Sequence, residues 1–211
     1  SFKYLEGEEF TLPTPTKDGS RFATFTKIDS NANTTNDAFI SAEDYGDLLF
    51  VAEWQTVIAS IGENKYFTLE EALEAAADGD VIELSECVID TEIIINKSVT
   101  INGPFASTDR KADHSEKEGE AEFTKLITIS SDNVTINGVK LSGDSQFVIN
   151  GKNFTVKSSY ICPTRSSFVT CKGNNRGGVF VDGDSNGADG VYIKDNYIKK
   201  PIVEKIINKI L

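Results

Sequence analysis

Apolar and polar residues alternate over very short distances between residues 66 and 104, after one helical pattern. Thr68 is a favourable N-cap residue, and Glu71 completes a capping box because its side chain can reach back to the Thr68 N–H. Apolar residues then recur at helical spacing, which predicts a helix over residues 68–77 with one apolar face. Gly79, in the Asp-Gly-Asp segment that follows, can adopt the left-handed conformation that ends a helix.

The residues after this helix form short apolar runs with little sequence between them. VIEL, CVID, EIIIN and SVTING follow one another from residue 81 to residue 103. A hairpin needs room to reverse, and it favours Asn-Gly or Asp-Gly between two alternating strands. Short strands joined by minimal corners therefore predict a chain that coils around an axis.

Three later segments share one template, NVTINGVKL, NFTVKSSYI and GVYIKDNYI. Val134, Phe154 and Val191 are equivalent positions, at spacings of 20 and 37 residues. A repeat of this size predicts a β-solenoid, in which each turn buries its apolar face by stacking on its neighbours. We interpret the longer spacing as two short turns. Asparagines recur where a ladder of side-chain amides would form, and each also suits an ordinary turn: Asn102, Asn137 and Asn196.

Residues 67–103 resemble the N-terminal cap and first coil of right-handed parallel β-helix proteins of the pectate-lyase-like group. The shared pattern is sLeeAl.aA.dGDvIeL followed by kSvTI.G, and the coil pattern continues to about residue 198. The resemblance implies a short right-handed parallel β-helix over residues 66–200. It leaves the function open, because the same scaffold carries lyases, hydrolases, adhesins and phage spikes.

The first 56 residues have a different character, because they are polar and rich in Thr, Asp and Asn. Strands are predicted at residues 10–12, 21–26 and 48–53. Residues 57–65 are expected to link this module to the coiled domain.

The segment TLPTPTKDG, with Phe22 and Trp54 further along, resembles the Listeria–Bacteroides repeat, a small β-grasp-like module of bacterial surface proteins. The Gly-Trp that is usual in that family is replaced here by residues 23–25, and Phe25 is expected to fill the Trp site. The resemblance implies an exported protein at the cell surface.

Charge and hydropathy narrow the range of partners. The chain has 211 residues, of which 39% are hydrophobic, and a net charge of −12. Nucleic acid and anionic membrane surfaces are not expected partners, because an acidic chain does not neutralise phosphate. No stretch approaches the ~20 apolar residues of a transmembrane span, so membrane insertion is not expected. The absence of Met, with Ser1 first, indicates a processed or trimmed N-terminus.

The three cysteines are Cys87, Cys162 and Cys171. Their spacing matches no zinc site. A disulfide between Cys162 and Cys171 would close a loop of about ten residues. Free thiols buried in the interior are the simpler interpretation.

The stretch from residue 165 to residue 195 contains the charged groups best suited to a binding face. The candidate ligand-binding residues are Arg165, Lys172, Arg176 and Asp195. A Ca²⁺ site is suggested by three residues that resemble the opening of an EF-hand loop: Asp182, Asp184 and Asn186. The bidentate Glu of that loop is missing, and the same residues also suit turns. We expect no cofactor other than this Ca²⁺.

No catalytic residue is assigned. The paired carboxylates of pectin hydrolases, in their Asn-Thr-Asp, Asp-Asp and Gly-His-Gly settings, are absent. The single histidine, His114, lies in a charged insertion at residues 105–122. Such an insertion either contributes to a binding groove or is a solvated acidic loop, and the solvated loop is the simpler interpretation.

The final residues, 201–211, read PIVEKIINKIL. Proline suits the first turn of a helix, and the apolar residues that follow form a stripe. This helix would either cap the open end of the β-helix or join subunits of an oligomer. Capping is the more economical use, because the helix is short.

The sequence thus predicts a mainly β chain, with a β-grasp-like module at residues 1–56 and a β-helix with helical caps at both ends. The expected function is that of a non-catalytic, adhesin-like binding or display protein at the bacterial cell surface, with a glycan or a host surface as ligand. One alternative is a carbohydrate-active enzyme, either a polysaccharide lyase or a glycoside hydrolase. The other is a phage fibre or capsid-decorating protein of the virion.

Overall fold

The computed structural model describes residues 7–165, 167–171, 179–181 and 190–199. Over these residues the chain is mainly β, with a single helix. Two compact units divide between Val57 and Ile58. The helix expected at residues 201–211, whether cap or oligomerisation element, lies outside the described residues.

The first unit is built from antiparallel strands, and residues 7–57 contain no helix. Its three-stranded sheet has the order β3-β2-β5, and a two-stranded sheet joins β1 to β4. The bounds are β1 (Phe10–Thr11), β2 (Ser20–Ile28), β3 (Thr34–Asn36), β4 (Phe39–Ile40) and β5 (Leu49–Thr56). The three strands expected from sequence are present, and β3 and β4 are additional short ones.

The small core of this unit forms around Phe25. This side chain is 7% exposed and packs with Leu12 and Ile40, which are also buried. Phe25 therefore occupies a core position. Outside the core, Lys27 Nζ lies 2.9 Å from a carboxylate oxygen of Asp44 and ties the loop before β5 to strand β2.

The second unit begins with an antiparallel hairpin, where we expected a linker. Strand β6 (Ala59–Ile61) pairs with β7 (Asn64–Tyr66) and, on its other side, with β8 (Val81–Leu84). Ala59 is only 1% exposed and belongs to the main core. The linker assignment for residues 57–65 is therefore wrong, because the hairpin extends a sheet of the second unit.

Helix α1 (Leu69–Ala75) is capped as its sequence predicts. The Glu71 N–H donates to Thr68 Oγ1 at 3.1 Å, which confirms the N-cap. The Glu71 carboxylate reaches back to the Phe67 N–H at 3.0 Å, one residue before the expected partner. Gly79 has a φ of +91°, the left-handed conformation expected after the helix.

After α1 the chain visits three parallel sheets in a fixed rotation. The long sheet has the order β7-β6-β8-β11-β14-β17-β21-β20, with β11 (Thr100–Asn102), β14 (Thr135–Asn137), β17 (Phe154–Lys157), β20 (Val179–Val181) and β21 (Val191–Lys194). The five-stranded sheet contains β9 (Cys87–Ile89), β12 (Ala121–Phe123), β15 (Lys140–Leu141), β18 (Tyr160–Ile161) and β22 (Tyr197–Ile198). The four-stranded sheet contains β10 (Ile93–Ile95), β13 (Leu126–Ile129), β16 (Gln146–Ile149) and β19 (Val169–Cys171).

The core of the second unit is a stack of aliphatic side chains in register. In the long sheet, each inward residue lies beside its equivalent on the next strand: Ile82, Ile101, Ile136, Val156 and Ile193. All five are at most 3% exposed. Burying a side chain of this size stabilises a fold by ~1.5–3 kcal/mol, so the stack is the main source of stability.

The 37-residue repeat spacing is one turn with an insertion, and our interpretation as two turns is wrong. Phe154 and Val191 are direct partners on β17 and β21. Strand β20 precedes β21 in the chain but pairs with its far side, at the edge of the long sheet. Strand β20 is therefore the edge strand beyond β21 and does not lie between β17 and β21.

Removing the N-cap tests how far α1 supports this fold. Thr68→Ala should lower the free energy of unfolding by ~1 kcal/mol, because the Glu71 N–H loses its acceptor. Thermal melting followed by circular dichroism measures the effect. Thr68→Ser is the matched control, since it keeps the hydroxyl and should melt close to wild type. Equal melting temperatures for Thr68→Ala and wild type would contradict a stabilising cap.

Candidate functional site

The outer face of the long sheet carries two straight rows of polar side chains. Successive strands read T-I-N, T-I-N and T-V-K, and the central residue of each faces the core. The flanking residues face outward because side chains alternate along a strand. One row, the hydroxyl row, consists of Thr100, Thr135 and Thr155. The other, the amide–ammonium row, consists of Glu83, Asn102, Asn137, Lys157 and Lys194.

The first half of the amide–ammonium row is a ladder of hydrogen bonds. Asn102 Nδ2 donates to Glu83 Oε1 at 2.8 Å, and Asn137 Nδ2 donates to Asn102 Oδ1 at 3.2 Å. The Oδ1 atom of Asn137 is buried and has no hydrogen-bond partner among the described residues. The ladder expected from sequence is confirmed for these two asparagines. Asn196 lies elsewhere: it accepts the Ser159 N–H and donates to the Val156 carbonyl.

The threonine hydroxyls of the hydroxyl row are available to hydrogen-bond a ligand. Thr100, Thr135 and Thr155 are half-buried, and their hydroxyls form no hydrogen bond within the described ranges. Neighbouring strands lie ~4.8 Å apart, so the row repeats a donor and an acceptor at that interval. A surface of this kind matches a ligand with its own repeating hydroxyl groups.

The second half of the amide–ammonium row is a pair of lysines. Lys157 and Lys194 are register partners on adjacent strands, and both are half-buried. Neither forms an ion pair with a carboxylate in the part of the chain that the structure describes. The Lys194 ammonium lies 5.7 Å from the ring centroid of Tyr192. The described part of the row therefore carries two positive charges on its last two strands.

The insertion at residues 105–120 is an ordered strap, so our simpler interpretation as a solvated loop is wrong. Arg110 is fully buried, and its Nη2 lies 2.5 Å from Glu120 Oε1. Its Nη1 donates to the Ser115 carbonyl at 2.7 Å. The guanidinium lies over the rings of Phe105 and Tyr160, at 5.1 and 5.8 Å. These contacts hold the strap against the outer face of the five-stranded sheet.

Two further contacts extend the strap over later strands of that sheet. Lys140, on β15, lies 2.5 Å from Glu116 of the strap and 3.3 Å from Glu122. His114 stacks on Tyr197, on β22, with ring centroids 4.5 Å apart. The strap precedes β12 in the sequence. It contacts β15, β18 and β22, which belong to three later passes of the chain through this sheet.

The pKa of Glu116, in the strap, does not favour a role as a general acid. The hydrogen bond from Lys140 holds the pKa of Glu116 below its ordinary value. Burial by itself would lower the pKa of Lys140, but the Glu116 hydrogen bond and the Glu122 charge outweigh it and raise that pKa. A carboxyl group that acts as an acid near neutral pH needs a raised pKa. Glu116 is instead held as a carboxylate.

The two described ligand-binding candidates lie at different corners of the coil. Arg165 follows β18, and its Nε donates to the Asp144 carbonyl at 2.8 Å. Asp195 is exposed and precedes β22, with a φ of +51°. The structure thus places one where the chain leaves the five-stranded sheet and the other where it enters. The remaining candidates lie outside the described residues: Lys172, Arg176 and the Ca²⁺ set Asp182, Asp184 and Asn186.

Two of the cysteines are free thiols. Cys162 Sγ lies 3.2 Å from the Leu141 carbonyl, to which it donates, so the alternative disulfide with Cys171 is not formed. Burial, followed by the Glu86 charge, raises the pKa of Cys87 to about 11. Such a thiol is a poor nucleophile, because the thiolate is the reactive form.

Two further kinds of feature are absent from the described ranges. There, no group of three His, Cys, Asp or Glu side chains is arranged to hold a metal ion. The same ranges contain no helix that is long and apolar enough to cross a membrane.

Comparison with known proteins found no matching family model, curated protein or solved structure. The functional interpretation therefore depends on the two rows and the strap. The sequence predicted the asparagine ladder, but the threonine row and the lysine pair were not recognised. The signal was present, because T-I-N recurs at residues 100–102 and 135–137 and T-V-K at residues 155–157.

The buried ion pair of the strap should be essential for stability. Arg110→Ala should lower the free energy of unfolding by about 3–5 kcal/mol, because it leaves the buried Glu120 carboxylate without its counter-charge and with only the Lys117 N–H as a donor. Chemical denaturation measures this loss. Glu116→Ala is the control: Glu116 pairs with Lys140 but its side chain is 53% exposed, so the cost should stay below about 1 kcal/mol. Similar losses for the two variants would contradict a strap anchored by Arg110.

Proposed function

We propose that this chain is a non-catalytic, adhesin-like protein of the bacterial cell surface that binds a glycan along the outer face of the long sheet. In this proposal the second unit is a right-handed parallel β-helix of the pectate-lyase-like group. The rotation through three parallel sheets supports it, and connections between parallel strands of one sheet are almost always right-handed. The first unit would be a module of the Listeria–Bacteroides type, which supports the surface location.

The observation that carries the proposal is the hydroxyl row beside the amide ladder. Hydroxyl and amide groups are both hydrogen-bond donors and acceptors. The hydroxyl groups of a sugar ring are also donors and acceptors, so the two surfaces are complementary. Three hydroxyls in register, without a partner among the described residues, form a regular array along the coil. A linear glycan laid along this axis would meet a threonine hydroxyl at each of three successive strands.

The strap supports a binding role over a catalytic one. Its carboxylate Glu116 is neutralised by Lys140 and has a lowered pKa, whereas a glycosidase acid needs a raised one. Glu116 of the strap and Glu122 of β12 thus form a structural ion-pair network with Lys140 on the five-stranded sheet. The hydroxyl row lies on a different sheet.

A glycan array probed with the full chain tests this function. We expect binding to a small set of linear glycans, and Thr135→Val should weaken it about threefold to tenfold by removing one hydrogen bond. Thr128→Val is the matched control, because Thr128 lies on β13 of the four-stranded sheet and is also half-buried. No binding by the folded chain, or equal losses in the two variants, would overturn the proposal.

Uronic-acid polymers should not be cleaved by this protein. Polygalacturonate incubated with the full chain, with and without Ca²⁺, should give no unsaturated product, which ultraviolet absorbance would detect. An active pectate lyase serves as the positive control. A rise in absorbance would make the enzyme interpretation the better one.

A further inference from the structure

We propose that the free edge of strand β10 is a docking site for an extended, basic peptide segment of a partner protein, which would add a strand to the four-stranded sheet. The site is separate from the proposed glycan face, because it lies on a different sheet and takes a different class of ligand. It lies at the start of the coil, where the first strand of each sheet has no earlier pass of the coil to pair with.

The edge of β10 is open, whereas the corresponding edge of the long sheet is covered. Hairpin β6–β7 pairs with β8, the first coil strand of the long sheet. Strand β10 stands at the end of the four-stranded sheet and pairs with β13 alone in the part of the chain that the structure describes. An edge strand presents unpaired N–H and C=O groups to any strand that approaches it.

The backbone groups at this free edge belong to Ile94. The Ile95 carbonyl accepts the N–H groups of Ser130 and Ser131 at 2.7 and 3.3 Å, so the backbone of Ile95 faces β13. Successive residues of a strand direct their N–H and C=O groups to opposite sides, and those of Ile94 therefore point away from the sheet. The Ile94 side chain is 64% exposed. Ile94 thus offers backbone hydrogen bonds and an apolar contact to the same ligand.

A groove of about 420 Å³ lies between this edge and helix α1. Helix α1 contributes Glu70, Leu73 and Glu74 to its walls, and the β10 side contributes Glu92 and Ile94. The edge is therefore accessible from a concave surface with an apolar part and a charged part.

Contacts at both ends of β10 hold the two walls of the groove together. Before the strand, Thr91 Oγ1 donates to Glu70 Oε1 at 2.8 Å. After the strand, Lys97 Nζ donates to the carbonyls of Glu74 and Ala76 at 2.6 and 2.5 Å. The groove is thus already formed in the free protein, so binding does not require its walls to become ordered.

The charges of the groove select a basic ligand. Three carboxylates line it, those of Glu70, Glu74 and Glu92, against the single ammonium of Lys97. A second copy of the chain is a poor occupant, because its net charge is −12 and like charges repel. A ligand strand with basic residues on both sides of an apolar one would meet the carboxylates while its apolar side chain packs on Ile94.

The test titrates the full chain with an acetylated and amidated hexapeptide of alternating lysine and valine, followed by NMR of the backbone amides. We expect saturable shifts centred on Ile94, and slower hydrogen exchange of the Ile94 N–H in the complex, because that group becomes hydrogen-bonded. Val88 is the internal control. It lies on β9, the edge strand of the five-stranded sheet, and outside the groove, so its exchange should not change.

Two further peptides separate backbone pairing from charge. A hexapeptide with glutamate in place of lysine should bind at least about tenfold more weakly, because the groove repels it. N-methylation of alternate amides keeps every side chain and charge but removes the donors of the added strand, and it should also abolish protection of Ile94. Added salt should weaken binding of the lysine peptide, since the carboxylates are exposed.

Variants of the chain test the charged wall. Glu74→Gln and Glu92→Gln should each weaken binding about twofold to fivefold, the range of an exposed ion pair. Glu118→Gln is the matched control, because Glu118 is an exposed carboxylate of the strap and lies outside the groove, and it should leave binding unchanged.

Several outcomes would overturn the docking site. These are no saturable binding by the folded chain, equal affinity for the lysine and glutamate peptides, equal protection of Val88 and Ile94, and binding that N-methylation does not affect. Self-association of the chain without peptide, with protection of Ile94, would make a second copy the occupant and would also overturn it. Tight binding of the lysine peptide with protection confined to the groove would support it.

Discussion

The in-register stacking of parallel strands is the constraint on which the rest of the second unit depends. Each pass of the chain places one aliphatic residue above its equivalent, and the backbone hydrogen bonds between passes fix that alignment. Because side chains alternate, a shift of one residue would turn Ile101 or Ile136 outward and bring threonine or asparagine into the core. The same register that buries the aliphatic stack therefore aligns both polar rows.

Close contact between passes explains why glycine follows asparagine at two corners. A Cβ atom on Gly138 would lie 2.1 Å from the Ala106 nitrogen, and Gly138 also has a φ of +67°. A Cβ atom on Gly103 would lie 2.2 Å from the Gly138 carbonyl oxygen. The strap starts at this crowded corner, so the glycines allow the chain to leave the coil without separating the strands above and below.

Local signals in the sequence predicted the parts of the fold that depend on neighbours in the chain. Helix α1 and the strands from β8 to β11 were found because capping residues and apolar alternation lie within a few positions of one another. The strap was not, because the residues on which it packs, Lys140, Tyr160 and Tyr197, are far along the chain. The lysine pair was also missed, since Lys157 and Lys194 become neighbours only once the register is known.

The position of β20 has a consequence for how the molecule assembles. Strand β20 is synthesised before β21. In the sheet, however, β20 pairs only with β21, which lies between β20 and β17. Assembly therefore cannot follow the order of synthesis at this point. Strand β20 therefore cannot pair with β21 until residues 182–194 have been made and β21 has paired with β17. At this edge of the sheet the later strand therefore has to dock before the earlier one, and loss of β21 would leave β20 without its pairing partner.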